Sequence, residues 1–436
     1  MKSTEPKKTI LLESALKAMA FLILKKYNPR IISITGSVGK TSTKEAVFAV
    51  LASKFRVRKN EKNYNNEIGL PLTIIGAESG KSSAWGWFLV FLKWLVVLVF
   101  PVEYPEVLIL EMGADRPGDI RYLTSFVKSD VGVVTDVSFS HIEFFKSLEG
   151  VAKEKMSLVT GLEESALSVI NTDNSSIAKL KDQVKTRLAT FGFGDAADMR
   201  ATDIFFNYSE EKEIRGLSFK LNYKGTTLPV RLNNVLAKHQ IYSALIAAAV
   251  GVEFGMNLVE ISGLLASFSP PLGRLNLIKG IRHSSIIDDT YNASPVSTIA
   301  AIEVLEKISA PRKIAALGDM LELGEETENG HRLVARKFLE AKGNVFLAVG
   351  SRMRFATSEL EKHNFDRNFI FHFDGSVEAG KKLQEIIQEG DLVLVKGSQG
   401  TRMEKAIEEI MAEPQKAEEL LCRQNREWKK KPLKPV

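Results

Sequence analysis

A glycine-containing segment near the N-terminus has the residue types that bind a nucleoside triphosphate. The apolar residues Ile31–Ile34 predict a buried parallel strand, and Lys40–Glu45 predict the opening of a helix. Between them, Gly36 and Gly39 let backbone N–H groups approach phosphate oxygens. Strand, glycine turn, Lys-Thr and helix together predict a phosphate-binding loop, the alternative being a glycine turn beside a chance Lys-Thr pair. The predicted ATP-binding residues of this loop are Thr35, Gly36, Ser37, Gly39, Lys40, Thr41 and Ser42.

Two residues of this loop have predicted chemical roles. Lys40 would reach the β- and γ-phosphates, and the hydroxyl of Thr41 would coordinate Mg²⁺. The generic phosphate-loop pattern has a first glycine where this chain has Ile34, so the match is to the shorter form T-G-x-x-G-K-T.

Side chains at two further strand ends could serve the same site. Glu111 follows the strand-like run Val107–Leu110, and ligands of an open α/β sheet bind at such ends. We therefore expect Glu111 to be a Mg²⁺ carboxylate, although a strand-terminal Glu can also simply face water. His141 follows the strand Val131–Val134 and is predicted to bind metal or phosphate, the alternative being a structural hydrogen bond.

A polar loop, Asn63–Pro71, is predicted to be neither helix nor strand. Its adjacent amides, Asn65 and Asn66, are residue types that often form turns. Beside a nucleotide site they could instead hold a substrate phosphate, so we predict that both bind substrate.

The elements that would position these residues predict an α/β protein. A helix over Thr9–Tyr27 leads into a central ATPase domain of P-loop type with a mostly parallel sheet. Short antiparallel strands and a helix from Leu236 follow. After Ser269–Arg274 the βαβ alternation restarts, which predicts a Rossmann-like C-terminal domain. The expected limits are 1–270 for the ATP-binding domain, 271–411 for the C-terminal domain and 412–436 for a charged tail.

Composition narrows the class of protein. The 436 residues are 44% hydrophobic and 26% charged, as in folded soluble proteins. The single Cys422 excludes a disulfide framework or a cysteine-based metal site and fits a reducing cytoplasm. The net charge is +6, with basic residues concentrated at both ends, and no nucleic-acid-binding module is evident. We expect a monomer in the cytoplasm without a signal peptide, bound to no nucleic acid.

An apolar run at Trp85–Phe100, within a predicted insertion over residues 82–104, is unusual. It contains three of the four tryptophans and is interrupted only by Gly86 and Lys93. Because a spanning helix needs ~20 apolar residues, we predict peripheral contact with the inner face of the membrane. A core or dimer-contact element and a true span are the alternatives.

Nine ordered motifs between about Leu11 and Met411 resemble the Mur ligase family, nearest to the branch that adds D-alanyl-D-alanine to a UDP-muramoyl-tripeptide. The motifs are TGSVGKTS, NYNNEIGLPLT, EMGADRPGDI, SHIE with GVAKEK, NTDN, GR, DDTYNASP, LGDMLELGEE and KGSQGTRME. The resemblance implies ATP- and Mg²⁺-dependent amide-bond formation through an acyl phosphate. The partners would then be a peptidoglycan precursor and a dipeptide or amino acid.

The resemblance also implies site residues. Lys155 matches the lysine that is carbamylated in the family, and His141 would hold a second Mg²⁺. From the C-terminal domain, Arg274, Asp289, Tyr291 and Asn292 would close over the nucleotide, and Lys396 and Ser398 would face a substrate. The implied catalytic residues are Lys40, His141, Lys155 and Asn292, and the implied metal ligands are Thr41, Glu111, His141 and carbamylated Lys155.

Three departures from the family pattern leave the acceptor open. We expect no UDP-sugar domain ahead of Ile31, and the tryptophan-rich segment is inserted. Ser243 and Ser294 stand where asparagines are expected. A membrane-linked or non-muramoyl acceptor, including a poly-glutamate or folyl-polyglutamate type, is one alternative. A non-catalytic ATP-binding scaffold is another.

Overall fold

The computed structural model describes residues 7–61, 64–138, 142–210 and 214–430. These residues form two compact units, and the predicted α/β class with two mostly parallel sheets is confirmed. The first unit runs to Ile204 and includes Phe219–Arg231 and Lys238–Phe268. The second comprises Phe205–Ser218, Leu232–Ala237 and the chain from Ser269, so the division runs through three strands.

The first sheet has nine strands in the order β2-β3-β1-β4-β5-β6-β7-β8-β9, and its pairs from β2 to β7 are parallel. Its central strands are mostly apolar and almost entirely buried, as strands covered on both faces are. The strands are β1 Arg30–Thr35, β2 Val57–Lys59, β3 Val107–Glu111, β4 Val131–Val134, β5 Leu167–Asn171, β6 Arg187–Gly192, β7 Met199–Tyr208, β8 Ile214–Tyr223 and β9 Thr226–Asn233.

Helices cover this sheet, and one apolar core joins α1 and α3 to the strands and to α7. The helices are α1 Lys7–Tyr27, α2 Lys40–Leu51, α3 Gly69–Ile75, α4 Ala84–Val99, α5 Asp119–Thr124, α6 Ile142–Phe145, α7 Leu148–Thr160, α8 Ser175–Ala178, α9 Ile241–Glu253 and α10 Leu258–Leu265.

The second sheet has the order β10-β11-β15-β12-β13-β14, in which only the β10–β11 pair is antiparallel. Its strands are β10 Asn276–Lys279, β11 Ser285–Asp289, β12 Lys313–Gly318, β13 Val345–Val349, β14 Ile370–Phe373 and β15 Leu392–Lys396. Its helices are α11 Pro295–Lys307, α12 Thr327–Glu340, α13 Arg354–Lys362, α14 Ser376–Ile386, α15 Glu404–Glu408, α16 Ala417–Leu420 and α17 Arg426–Lys429.

Two predictions of local structure are wrong. Residues Gly69–Pro71 begin α3, where burial of all seven helical residues outweighs the poor helix propensity of Gly and Pro. Pro71 is tolerated because it lies in the first turn, whose N–H groups have no partner within the helix. The helix predicted from Leu236 begins only at Ile241. Leu236 is buried, as its apolar character predicts, but it lies ahead of the helix.

The tryptophan-rich segment is a single 16-residue helix, α4. The hydroxyl of Ser83 accepts a hydrogen bond from the Gly86 N–H and caps its start, and Pro101 follows its end. In the described part of the chain, no helix combines the length and apolar character needed to cross a bilayer.

Candidate active site

A cavity of about 220 Å³ lies in the first unit, at the edge of the sheet where β1 and β3 end. The turn after β1 and the residues that follow β3 form two of its walls, and α7 contributes Lys155. It is lined by Gly36, Ser37, Lys40, Asn65, Asn66, Glu67, Gly113, Ala114, Asp115, Asp119 and Lys155. The structure therefore brings the predicted phosphate loop, amide loop and Lys155 to one site.

The phosphate loop needs its glycines for two different reasons. Gly36 has φ +147°, and a Cβ there would lie 2.1 Å from Oγ1 of Thr135. Gly39 has φ +85°, the left-handed conformation, and caps α2. Lys40 curls back over the turn, where its ammonium donates to the carbonyl oxygens of Gly36 at 2.6 Å and Ser37 at 3.3 Å. The charge of Lys40 thus already lies where phosphate oxygens would enter.

The hydroxyl residues of the loop differ in exposure. Thr35 is buried, and its hydroxyl donates to the Met112 carbonyl at 2.9 Å, which ties the end of β1 to the residue after β3. Thr41 is half-buried in the first turn of α2, and Ser42 is buried.

Glu111 is buried at the end of β3 and is held from three sides. Its N–H donates to Oδ1 of Asn60 at 2.9 Å, and its Oε1 accepts from Nδ2 of Asn65 at 3.2 Å. The ammonium of Lys44 lies 3.6 Å from its Oε2. The structure thus joins the amide loop, the phosphate-loop helix and the acidic strand end.

The second oxygen of this carboxylate, which has the Lys44 ion pair but no hydrogen bond, suits a divalent cation. Among the described residues, Oε2 of Glu111 is buried without a hydrogen-bond partner. An anionic oxygen beside a phosphate loop is a ligand that Mg²⁺ prefers, and the other ligands of Mg²⁺ are commonly waters and substrate phosphates. No group of three or more His, Cys, Asp or Glu side chains converges in the described chain, and His141 lies outside it.

Lys155 is buried, and its ammonium donates to the Ala114 carbonyl at 3.0 Å. Burial, followed by the positive charge of Lys40, lowers the pKa of Lys155 to about 8. Glu154, Asp115 and Asp119 act in the opposite direction. Near neutral pH an appreciable fraction of this side chain is therefore an uncharged, nucleophilic amine.

Asn65 and Asn66, the two amides of the polar loop, make different contacts. The side-chain amide of Asn65 donates to Glu111, and the backbone carbonyl of Asn65 accepts from the Gly113 N–H at 2.8 Å. Oδ1 of Asn66 accepts from the Gly69 N–H at 2.9 Å and fixes the start of α3. Both line the cavity while also building it.

The predicted residues of the second unit form their own cluster. The buried ammonium of Lys396 donates to Oδ2 of Asp289 at 2.5 Å and to the Asn292 carbonyl at 2.8 Å. Ser398 is also buried, and its hydroxyl accepts from the Leu321 N–H at 2.8 Å. Lys396 and Ser398 therefore hold neighbouring loops of the second unit in place through buried hydrogen bonds.

The three other residues predicted to contact the nucleotide from this unit are Arg274, Tyr291 and Asn292. The guanidinium of Arg274 lies over the Tyr291 ring, 4.2 Å from its centroid, and the side chain of Asn292 is exposed.

The two serines that depart from the family pattern have identifiable partners. The hydroxyl of Ser243 is buried 3.2 Å from that of Thr43 in α2. Ser294 caps α11 in a reciprocal pair with Ser297.

Sequence reasoning missed Lys44 and the acidic residues Glu67, Asp115 and Asp119 that line the cavity. One signal could have found Lys44, because it lies four residues after Lys40 and so on the same face of the helix. Asp115 and Asp119 belong to the motif EMGADRPGDI, from which only Glu111 was selected.

Two protein-family models match the chain. A family model for the Mur ligase middle domain matches residues 34–85 and 95–251. A second, for the glutamate ligase domain of Mur ligases, matches residues 273–399. The chain belongs to the Mur ligase family. The family resemblance and the fold class expected from the sequence are thereby confirmed, and the chain is an ATP-dependent ligase that forms carbon–nitrogen bonds.

Among the relatives of this Mur ligase is the UDP-N-acetylmuramoyl-tripeptide–D-alanyl-D-alanine ligase of Bacillus subtilis. It is 31% identical over 402 residues, which cover 92% of this chain and 80% of the relative. A crystal structure of MurF from Acinetobacter baumannii has a TM-score of 0.74 at 25% identity and covers 91% of this chain and 79% of its own. MurF from Thermotoga maritima in complex with ADP has a TM-score of 0.73 at 25% identity, covering 93% and 84%.

Proposed function

We propose that this Mur ligase joins D-alanyl-D-alanine, or a similar amine, to the carboxylate of a muramoyl peptide during synthesis of peptidoglycan precursors. The observation that carries the proposal is the cavity of the first unit. One site there combines a phosphate loop with Lys40, the carboxylate of Glu111 behind Asn65, and a lysine of lowered pKa. The names of the relatives supply the substrates.

The chemistry has two steps. The acceptor carboxylate attacks the γ-phosphorus of ATP, and the bond between this phosphorus and the bridging oxygen breaks. The products of this step are an acyl phosphate and ADP. The amine then attacks the acyl carbon, loses a proton, and expels inorganic phosphate. In the first step Lys40 neutralises charge on the transferred phosphoryl group, which is the main requirement of such a transfer. Backbone N–H groups of the loop other than that of Ser37, which donates to the Asp136 carbonyl at 2.8 Å, would hold the phosphates in place.

Mg²⁺ would be held by Thr41, Glu111, His141 and carbamylated Lys155. The observation that supports Glu111 as a ligand is its buried Oε2, which has no hydrogen-bond partner. When bound, the ion supplies charge neutralisation at the phosphates and at the acceptor carboxylate.

Carbamylation of Lys155 balances chemically. The ammonium first loses one proton, and the neutral amine then forms a nitrogen–carbon bond to CO₂ and releases a second, so the change from a cation to an anion with two oxygen ligands releases two protons. The lowered pKa of Lys155 supports this step, because the protonated amine has no lone pair to attack CO₂.

The remaining assignments belong to the same proposal. Nucleotide contacts from the second unit would come from Arg274, Asp289, Tyr291 and Asn292, and substrate contacts from Asn65, Asn66, Lys396 and Ser398. The support for Asn65 and Asn66 is their position in the cavity wall. The domain limits would be 1–270 and 271–411 with a tail over 412–436, and the protein would act as a monomer in the cytoplasm.

The test is phosphate release from ATP in mild detergent with Mg²⁺, UDP-muramoyl-tripeptide and D-alanyl-D-alanine. We expect release that requires both substrates, with the peptide product detected by mass spectrometry. Release that occurs with a lipid-linked muramoyl peptide but not with the UDP form would replace the acceptor. ATP binding without release for any acceptor–amine pair would overturn the proposal.

A further inference from the structure

The outward face of α4 consists of apolar side chains. At 100° per residue, Trp85, Leu92 and Val99 define the centre of this face, and Trp85 and Val99 are 67% and 60% exposed. The flanking positions are also exposed and apolar: Phe88, Leu89, Leu95 and Val96. The only charged residue of the helix is Lys93. Soluble helices normally place polar residues on such a face, so this one is unusual.

The opposite face fixes α4 to the first unit. Val90 and Val97 are buried in the apolar core, and the indole N–H of Trp94 donates to the Met19 carbonyl at 3.0 Å. At the end of the helix, the hydroxyl of Tyr27 donates to the Val97 carbonyl at 2.8 Å, and Lys26 donates to the Phe100 carbonyl at 2.7 Å. The outward apolar face is therefore carried on a well-packed helix.

The neighbouring helix α1, which packs against α4, adds to the exposed apolar surface. Leu11, Phe21 and Leu22 are exposed on it, Leu11 to 72%. We call the exposed apolar residues of these two helices the α1–α4 face. Single exposed apolar residues are ordinary, but so many on two adjacent helices indicate an interaction site.

The charges in and beside the α1–α4 face are mostly positive. Residues 11–27 carry Lys17, Lys25 and Lys26 against Glu13, and residues 78–103 carry Lys81 and Lys93 against Glu78 and Glu103. The ammonium of Lys93 donates to the Gly76 carbonyl and so remains at the edge of the face. A basic rim around an apolar surface is complementary to anionic headgroups above acyl chains.

We propose that the α1–α4 face docks on the surface of an anionic lipid bilayer, with α4 lying in the interface. Sixteen residues give α4 a length of about 24 Å, which is short of the ~30 Å hydrocarbon core, so the helix lies on the membrane. Tryptophan, here Trp85 at the exposed start of α4, is a residue type enriched at this depth. The match to the Mur ligase middle domain leaves out residues 86–94, so the middle part of α4 lies outside the family pattern.

A second copy of the chain fits the face less well. A two-fold interface would place the same surface opposite itself and bring together two surfaces of the same net positive charge. It would also lack the polar partners that protein interfaces usually contain, because the outward residues of α4 have no side-chain donor or acceptor besides the Trp85 indole.

Vesicle co-sedimentation of the full chain tests the proposal. We expect binding to vesicles of phosphatidylglycerol and phosphatidylcholine, with weaker binding at high salt and on phosphatidylcholine alone. Leu92→Glu should lower the partition coefficient at least roughly tenfold, since burial of a leucine is lost and a charge is added. Val259→Glu, at a position that is 77% exposed on α10, is the matched control and should bind like the parent protein. Equal binding of all three proteins, or of none, would overturn the proposal.

Tryptophan fluorescence provides a second measurement that does not depend on a disruptive variant. Lipids brominated in their acyl chains should quench the parent protein, and Trp85→Phe should lose much of that quenching while keeping its unfolding midpoint. Sedimentation velocity without lipid should give the same sedimentation coefficient for the parent protein and for Leu92→Glu, with no dimer that depends on Leu92. A dimer abolished by Leu92→Glu, together with no bromolipid quenching, would assign the face to a second copy instead.

Discussion

The ammonium of Lys44 lies 3.6 Å from Oε2 of Glu111, and both side chains are buried. The same ammonium donates to the Asn60 carbonyl at 2.7 Å, and the side chain of Asn60 bonds the backbone of Glu111 on both sides. Lys44 therefore supplies the positive charge nearest to the carboxylate that we propose as a Mg²⁺ ligand.

Replacing Lys44 with Met should destabilise the free protein and strengthen its response to Mg²⁺. The variant leaves a buried carboxylate without its cation, at a cost of roughly 3 kcal/mol. A divalent ion would then replace the missing charge, so Mg²⁺ should raise the unfolding midpoint more than in the parent protein. Thermal unfolding with and without Mg²⁺ measures this, and Lys54→Met, which removes a surface pair with Glu260, is the control. Equal Mg²⁺ shifts would argue against Glu111 as a ligand.

Much of this site could be predicted because its parts are local in sequence. The strand-turn-helix around Gly36 and the strand that ends at Glu111 are short-range patterns, and both have the predicted form. The contact between Lys44 and Glu111 could not be predicted from such patterns. It depends on β1 and β3 pairing in the register Ile34 with Glu111, and on Asn60 joining the two sides.

Other features could not be predicted because burial in the folded protein determines them more than the local amino-acid composition does. Gly69 and Pro71 predict a break, yet complete burial makes them helical. Within the expected charged tail over residues 412–436, Leu421 and Cys422 are buried, which a charged composition does not reveal. The roles of the second-unit residues remain predictions.

Carbamylation of Lys155 should become easier as pH rises through about 8. Because the pKa of Lys155 is lowered from 10.5 to about 8, the neutral amine makes up roughly a tenth of the side chain at pH 7 and half at pH 8. Enzyme depleted of CO₂ should regain activity on bicarbonate addition, and more completely at pH 8. Carbon-13 NMR with labelled bicarbonate should show the carbamate without ATP present. A signal that persists in Lys155→Ala would assign it to another amine.

Lys155→Ala should lose roughly 100-fold or more in turnover, as expected when a group that organises transition-state charge is removed. Short carboxylic acids should restore part of that activity by replacing the carbamate oxygens. Lys153→Ala removes an exposed lysine that pairs with Glu149 on the same helix and should keep normal turnover. Unchanged activity in Lys155→Ala would contradict a metal-organising role.

Lys40→Ala should lower turnover at least roughly 1,000-fold, because it removes the cation that we propose to neutralise the transferred phosphoryl group. Lys54→Ala should leave turnover unchanged, since Lys54 pairs with Glu260 on the surface. Steady-state phosphate release with both substrates measures the effect. A Lys40→Ala enzyme with normal turnover would contradict the phosphate-loop assignment.

Gly36→Ala should abolish ATP binding and destabilise the protein. The new Cβ would overlap Oγ1 of Thr135, so the loop or the end of β4 must move. Backbone strain of this kind costs about 1–3 kcal/mol. Gly263→Ala in α10 meets no atom within 4 Å and should be neutral or slightly stabilising. Calorimetric titration with ATP and chemical denaturation separate the two effects, and nucleotide affinity equal to the parent protein would show that the loop tolerates a side chain.

Arg423 should stabilise the loop that follows β11 and contains Asn292, although it lies in the charged C-terminal segment. Its guanidinium donates to the Thr290 carbonyl at 2.9 Å and to the Tyr291 carbonyl, and it pairs at 3.0 Å with the fully buried Glu404. Arg423→Met would leave two carbonyls without this donor while Glu404 keeps Arg402, so we expect a loss of about 2 kcal/mol in unfolding free energy. Arg426→Met, at an exposed position on α17, should change it little. Chemical denaturation measures both, and faster proteolytic cleavage near Tyr291 in Arg423→Met alone would locate the loss at that loop. Equal unfolding free energies for the two variants would mean that the C-terminal segment packs there without holding the loop.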